Sequence, residues 1–233
     1  MIAENVKKIQ ENVKSACIAA GRTPDTVTLI AISKTFGHAD IAEVVRAGVF
    51  DVGENYVQEI VEKRAQVRDE RIRWHFVGHL QSNKVKYIAE WVHLIHSIDN
   101  EIVAAEIQKR GARLDRTIDV LVEVNTSGEV TKFGVKPEQA LDLVRKISRH
   151  ANIRVQGLMT IGPFLPDPEQ SRSAFRLLKR IFDELNSAGV VREPMRHLSM
   201  GMTHDFAVAI EEGSTMVRIG TAIFGSRRKY NST

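Results

Sequence analysis

The chain has a single cysteine, Cys17, in 233 residues. That excludes an intrachain disulfide framework and any metal site built from several cysteines. Cys17 sits in VKSACIAAG, where it reads as a small apolar residue on a helix face. No apolar run approaches the roughly 20 residues that cross a bilayer, so no membrane span is expected. The opening MIAENVKKIQENV is amphipathic and carries acids, unlike a leader peptide, and the expected location is cytoplasmic. Excess positive charge is modest: the net charge is +4 and the pI near 9.2, with lysine and arginine scattered among nearly as many acids. This pattern describes a solvated surface and argues against a nucleic-acid partner. The one dense basic run, Arg227 to Lys229, falls in an expected polar tail over residues 226–233. Hydrophobic residues at 43% and charged residues at 27% are ordinary for a folded protein. With no repeat, low-complexity tract or linker, a single domain over residues 1–233 is expected.

What the sequence does contain is an alternation. After an opening helix near Ala3 to Ala20, within an N-terminal segment 1–25, strand-like runs recur. They are Thr28–Ser33, Asp51–Asn55, Trp74–His79, Leu94–Ile98, Thr117–Asn125, Arg154–Met159, His197–Met200 and Met216–Gly220. Helical periodicity lies between them. ADIAEVVRAG places Ile41, Val44 and Val45 on one stripe, with Gly48 as a C-cap. KPEQALDLVRKISRH groups Leu141, Val144 and Ile147, and the segment from Asp167 to Gly189 presents Phe175, Leu178, Ile181, Phe182 and Leu185. Eight strands alternating with helices specify an α/β fold with a parallel sheet, and the count favours a closed (β/α)8 TIM-type barrel.

In LIAISKTF a lysine follows a run suited to a strand buried on both faces. The two-residue period puts Lys34 on the same side as Ile30 and Ile32. Either it snorkels, with its charge in water, or it is an amine desolvated for attack on a carbonyl. Active sites of such barrels gather at the C-terminal ends of the strands, with phosphate often bound after the seventh and eighth. Polar, glycine-containing text concentrates there: GENYVQE, GHLQSNK, SMGMTHDF and RIGTAIFG. Ser199 and Thr203 offer hydroxyls, Gly201 and Gly220 allow close backbone approach, Thr221 adds a hydroxyl, and a helix opening near Thr203 to Asp205 would aim amides at an anion. Arg218 points into the expected barrel; an internal ion pair with Glu54 or Glu123 would also account for it. Lysine, arginine and phosphate cradle together suit pyridoxal 5'-phosphate, whose aldehyde, ring nitrogen and phosphate each need a partner. A lysine aldolase or a sugar-phosphate enzyme stays open at this point.

AISKTF, GENYVQE, WHFVGHLQSNK, GLMTIGPF and LSMGMTHDFAVAIEEGSTMVRIGTAIFG, in this order, resemble the YggS/PROSC family of pyridoxal phosphate homeostasis proteins over essentially the whole chain. The resemblance implies the fold-type III barrel shared with the N-terminal domain of alanine racemases, with an extra N-terminal helix and no C-terminal β domain. It implies a Schiff base between Lys34 and the cofactor, Arg218 facing the pyridine nitrogen, and Ser199, Gly201, Gly220 and Thr221 around the phosphate. Asn55 is implied as a neighbour of the ring. GMTHDF departs from similar sequences at Thr203 and His204; the hydroxyl is kept, and His204 has no implied role.

A guanidinium keeps its proton near neutral pH, so an arginine at the ring nitrogen leaves that nitrogen unprotonated and the ring a weaker electron sink. Racemases resembling this barrel add a tyrosine from a separate C-terminal domain; the tyrosines here are Tyr56, Tyr87 and Tyr230. The expectation is a monomeric holder of pyridoxal phosphate that acts in vitamin B6 homeostasis and indirectly on amino-acid pools, with transient contact to PLP-dependent apoenzymes. The alternative is an amino-acid racemase of the alanine racemase type.

Overall fold

Strands buried on both faces need cover on both, and a barrel wrapped in helices supplies it. In the computed structural model, which describes residues 1–225, eight parallel strands close in sequence order. They are β1 (Thr28–Ile32), β2 (Asp51–Glu54), β3 (Arg73–Phe76), β4 (Leu94–Ile98), β5 (Ile118–Glu123), β6 (Ile153–Met159), β7 (His197–Ser199) and β8 (Met216–Ile219). β8 pairs with β1, Arg218 standing opposite Ile30 and Ile219 opposite Ala31. Every expected strand is present, including the short β2 and β7. The expected tail, with Arg227 to Lys229 and Tyr230, lies outside the described residues.

The side-chain period of two divides the strands between two cores. Ile30 and Ile32 point inward, where they cluster with Val77, Leu94, Leu121, Met159 and Met216. Ala31 points outward, into a cluster with Val44, Val217 and Ile219 that is covered by helix α1 (Ile2–Ala19). The buried stripe of α1, Val6, Ile9, Val13 and Cys17, has helical spacing. Each such aliphatic side chain contributes about 1.5–3 kcal/mol by leaving water. Beyond the helix, Arg22 donates to the carbonyls of Ile210 and Ser214 at 2.8 and 2.7 Å, tying the N-terminal segment to the crossover between β7 and β8.

The remaining helices are α2 (His38–Arg46), α3 (Val57–Gln66), α4 (Glu101–Arg113), α5 (Ala140–Ile147), α6 (Arg172–Ser187), α7 (Phe206–Glu211) and α8 (Thr221–Phe224). Between β3 and β4 the crossover holds a 3-10 helix, Ser82–Tyr87. α2 buries Ile41, Val44 and Val45 as its periodicity requires. In α5 the buried stripe is Ala140, Leu143, Val144 and Ile147, and Leu141 is 42% exposed. The expected grouping of Leu141 with Val144 and Ile147 fails because, at about 3.6 residues per turn, the stripe through Ala140, Leu143, Val144 and Ile147 leaves Leu141 on its flank, about 120° round from Ile147. At the top, Phe36 stacks on Phe224 of α8 with ring centroids 5.0 Å apart, joining the loop after β1 to the end of the barrel.

Candidate functional site

Lys34 stands two residues past β1, half-buried, in a turn fixed from both sides. Before it, the Ser33 carbonyl accepts from Lys63 Nζ at 2.9 Å. After it, Thr35 adopts φ +68°, a conformation costly for a β-branched residue, and its amide donates to Glu59 Oε2 at 2.9 Å. Lys63 reaches both acids of α3 and β2, at 2.7 Å from Glu59 and 2.6 Å from Glu54. Glu54 Oε1 also accepts from the Ser33 hydroxyl at 2.6 Å. The buried Glu54 is therefore the partner of Lys63 and not of Arg218. Lys63 carries no local sequence signal: it belongs to an ordinary amphipathic helix, and only folding brings it beneath the Lys34 turn.

Arg218 is 5% exposed inside the barrel. Its guanidinium donates to Ser199 Oγ at 2.6 Å and to the Thr160 carbonyl at 2.8 Å, both neutral acceptors. It forms no ion pair with Glu54 or Glu123. Glu123 feels its charge from a distance: burial pushes that carboxyl up to about 7, Asp99 adds to the rise, and Arg218 opposes it. Burial holds Arg218 down at about 10, against the pull of Glu123 and Asp205. A cation so enclosed, without a carboxylate at bonding distance among the described residues, has unmet demand for an acceptor.

The loops after β7 and β8 flank this wall. Gly201 has φ +90°, and a Cβ there would fall 2.5 Å from Ala209 Cβ, so glycine is required on both counts. α7 starts at Phe206, later than expected, and the Met202 amide is taken by Asp205 Oδ1 at 2.7 Å. The amides of Asp205 and Phe206 both donate to the Met202 carbonyl, at 3.2 and 2.9 Å. This loop is therefore held by itself rather than by a helix start. Gly220 precedes α8, and Thr221 opens that helix with its side chain exposed. Ser199 stands apart from these loops. It is fully buried, its hydroxyl bonded to His96 Nδ1 at 2.9 Å as well as to Arg218, so it reaches the mouth through the arginine. His204, without an implied role, donates through Nε2 to the Pro166 carbonyl at 2.7 Å and pins the loop after β6.

Asn55 follows β2, and its Oδ1 is buried with no hydrogen-bond partner among the described residues; Thr35 Oγ1 and Glu54 Oε2 are in the same condition. Gly78 packs on this position: a Cβ there would lie 2.0 Å from the Asn55 carbonyl oxygen. The structure thus gathers Lys34, Arg218, Gly201, Gly220, Thr221 and Asn55 at the C-terminal end of the barrel, β1 beside β8. Lys63, His75 and His96 were not singled out from sequence. The histidines had a signal, each lying within an apolar strand run, WHF and LIHSI.

The family model described as alanine racemase, N-terminal domain, matches residues 4–228. A pyridoxal phosphate homeostasis protein of Aquifex aeolicus is 46% identical over 97% of this chain and 98% of its own length. Another, of Pseudomonas aeruginosa, is 40% identical over 97% and 96%. Among solved structures, PipY of Synechococcus elongatus with PLP bound superposes with a TM-score of 0.83 at 30% identity, covering 97% of this chain and all of that one. An alanine racemase of Clostridium difficile shares the fold, with a TM-score of 0.75 at 15% identity over 96% of this chain and 57% of its own.

Proposed function

This chain belongs to the family of pyridoxal phosphate homeostasis proteins, within the alanine racemase N-terminal-domain group, and from that premise we propose that it holds pyridoxal 5'-phosphate at the barrel mouth and buffers the free cofactor. The observation that carries the reading is Arg218, a buried guanidinium bonded among the described residues only to neutral acceptors, on the strand next to the one that delivers Lys34. A pyridine nitrogen supplies the acceptor it lacks, and its fixed charge keeps that nitrogen unprotonated. Three orphaned polar atoms around the Lys34 turn and β2, on Thr35, Glu54 and Asn55, fit a polar ligand at the same end. When bound, the cofactor supplies an aldehyde for amines and a ring that withdraws electrons.

In this reading Lys34 forms the Schiff base, and the backbone on either side of it is held by Lys63 and Glu59. The backbone turns at Gly201 and Gly220, with the Thr221 hydroxyl, receive the phosphate. Ser199 serves from behind by orienting Arg218, and Asn55 turns its unpartnered carboxamide to the ring. The racemase alternative needs a second proton-transfer group beside the cofactor. Tyr56 and Tyr87 are 59% and 48% exposed, which favours holding over turnover. Cytoplasmic residence, a monomeric state and transient delivery to PLP-dependent apoenzymes complete the proposal.

The protein purified after incubation with pyridoxal 5'-phosphate is expected to show a near-visible absorbance band. Borohydride reduction should remove the band and leave the mass label on the Lys34 peptide, and Lys34→Ala should show neither. A protein that stays colourless overturns the reading.

A further inference from the structure

The barrel interior supplies Arg218 with a carboxylate indirectly. Ser199 Oγ lies 2.9 Å from His96 Nδ1, His96 Nε2 lies 2.9 Å from His75 Nδ1, and His75 Nε2 lies 2.9 Å from Asp51 Oδ1. His75, His96 and Ser199 are fully buried, and Asp51 is 6% exposed. Asp51 opens β2 and Arg73 opens β3, so this end of the line is the barrel floor, opposite the mouth. There Asp51 is bound by the Arg73 guanidinium, whose Nε donates at 2.7 Å and whose side chain is 50% exposed.

The bonding sets the direction of each proton. A guanidinium only donates, so Ser199 Oγ accepts from Arg218. The Ser199 hydrogen then belongs to His96 Nδ1, its other partner. His96 must carry its own proton on Nε2 and give it to His75 Nδ1, and His75 must carry its proton on Nε2 and give it to Asp51. The opposite polarity leaves the Ser199 hydrogen without an acceptor among the described residues. With a neutral His75 it also sets a bare ring nitrogen against the Asp51 carboxylate. Charges around the line agree with a neutral His96 and an ionised end. Burial, then the nearby His75, Arg218, His197 and His93, pushes His96 well below the ordinary imidazole range. Burial alone would raise Asp51, yet hydrogen bonds from His75 and Arg73 hold it at about 2. Asp119 faces His93 and His197 from β5, one step off the line.

We propose that His96 and His75 are positioning residues for Arg218, forming a one-directional relay that joins its guanidinium to the Asp51 carboxylate on the barrel floor. The inference rests on the cofactor reading above. Each donor in the line strengthens the next acceptor, so Ser199 is a better anchor for Arg218 than an isolated hydroxyl. One edge of the guanidinium is thereby committed to Ser199 and the Thr160 carbonyl, and its remaining N–H groups would be left in a fixed orientation for an acceptor such as the ring nitrogen.

Two measurements test the relay. The first needs no cofactor: side-chain 15N spectra of the ligand-free protein should show His75 and His96 both neutral with the proton on Nε2 at pH 7. A proton on Nδ1 of either ring, or an imidazolium at either position, overturns the proposal. The second uses the protein loaded with pyridoxal 5'-phosphate. Asp51→Asn, remote from the mouth, should weaken cofactor binding by about threefold or more and move the pH midpoint of the bound cofactor's absorbance, and neither effect should appear in a His96→Phe background. Equal effects of Asp51→Asn in both backgrounds, or none in either, overturn it. If Asp51→Asn fails to fold, His96→Asn, which keeps an acceptor for Ser199 but breaks the link to His75, takes its place and should show the same weakening. A protein that binds no cofactor refutes the function proposed above, and the nitrogen spectra still decide the relay.

Discussion

The Thr35 amide and the Glu59 carboxylate are joined by a 2.9 Å hydrogen bond that spans the corner between β1 and α3. The bond fastens a residue at φ +68°, immediately after Lys34, in a conformation that costs of order 1–3 kcal/mol and persists only where its surroundings impose it. Glu59 is in turn held by Lys63, which also binds Glu54 and the carbonyl on the other side of Lys34. One ammonium thus governs both flanks of the candidate anchor.

Lys63→Met is therefore expected to destabilise the fold by about 3–5 kcal/mol, because it leaves the fully buried Glu54 without its charge partner. Adding Glu54→Gln should restore a large part of that loss by removing the stranded charge. Urea unfolding of the parent, the single variant and the pair checks this. A single variant within about 1 kcal/mol of the parent would show that the pair does not hold the turn.

The barrel was legible from the sequence because its signal is local: apolar runs of strand length, and stripes such as Ile41, Val44 and Val45. Even HLS and DVGE, which have little strand character alone, form β7 and β2 because each is paired on both edges. The position of Lys34, Arg218, Gly201 and Gly220 at one end of the barrel was legible because each ends or closely follows a strand run. What escaped was pairing between distant residues. Ser199 read as a hydroxyl for phosphate, but its neighbours are His96, 103 positions away, and Arg218. Leu141 falls outside the buried face because a strict three-residue spacing drifts off an α-helical stripe, which here runs through Ala140, Leu143, Val144 and Ile147. Periodicity finds faces; it does not find which polar groups meet inside them.

Arg218→Met distinguishes a ligand-directed arginine from a structural one. Replacing a buried, unpaired cation by an apolar side chain of similar length removes its desolvation cost, though it frees two acceptors, on Ser199 and Thr160. The expected change in unfolding free energy is within about 1 kcal/mol of zero or favourable. Binding of pyridoxal 5'-phosphate, followed by absorbance titration, should weaken by about tenfold or more, equivalent to about 1.4 kcal/mol. Loss of stability with binding intact would make Arg218 a structural element.

Glu123 gives the ligand-free protein a pH dependence of defined sign. Burial, reinforced by Asp99, lifts its carboxyl from 4.5 to about 7 in the fold. Between those values the native state holds a proton that the unfolded chain has released. The stability this provides is complete below about 4.5, falls as pH rises, and is gone above about 7, a change of about 3 kcal/mol. His93 works the other way: burial lowers it from 6.5 to about 4, so its contribution grows over nearly the same window. The raw stability curve of the parent mixes the two, and the difference between parent and Glu123→Gln separates them. Glutamine keeps the shape of the side chain and cannot ionise, so its advantage over the parent should be small at pH 5, grow to about pH 7 and level off beyond it. Urea unfolding at unit steps across that range measures the difference, and a value constant with pH would place the Glu123 carboxyl in ordinary contact with water.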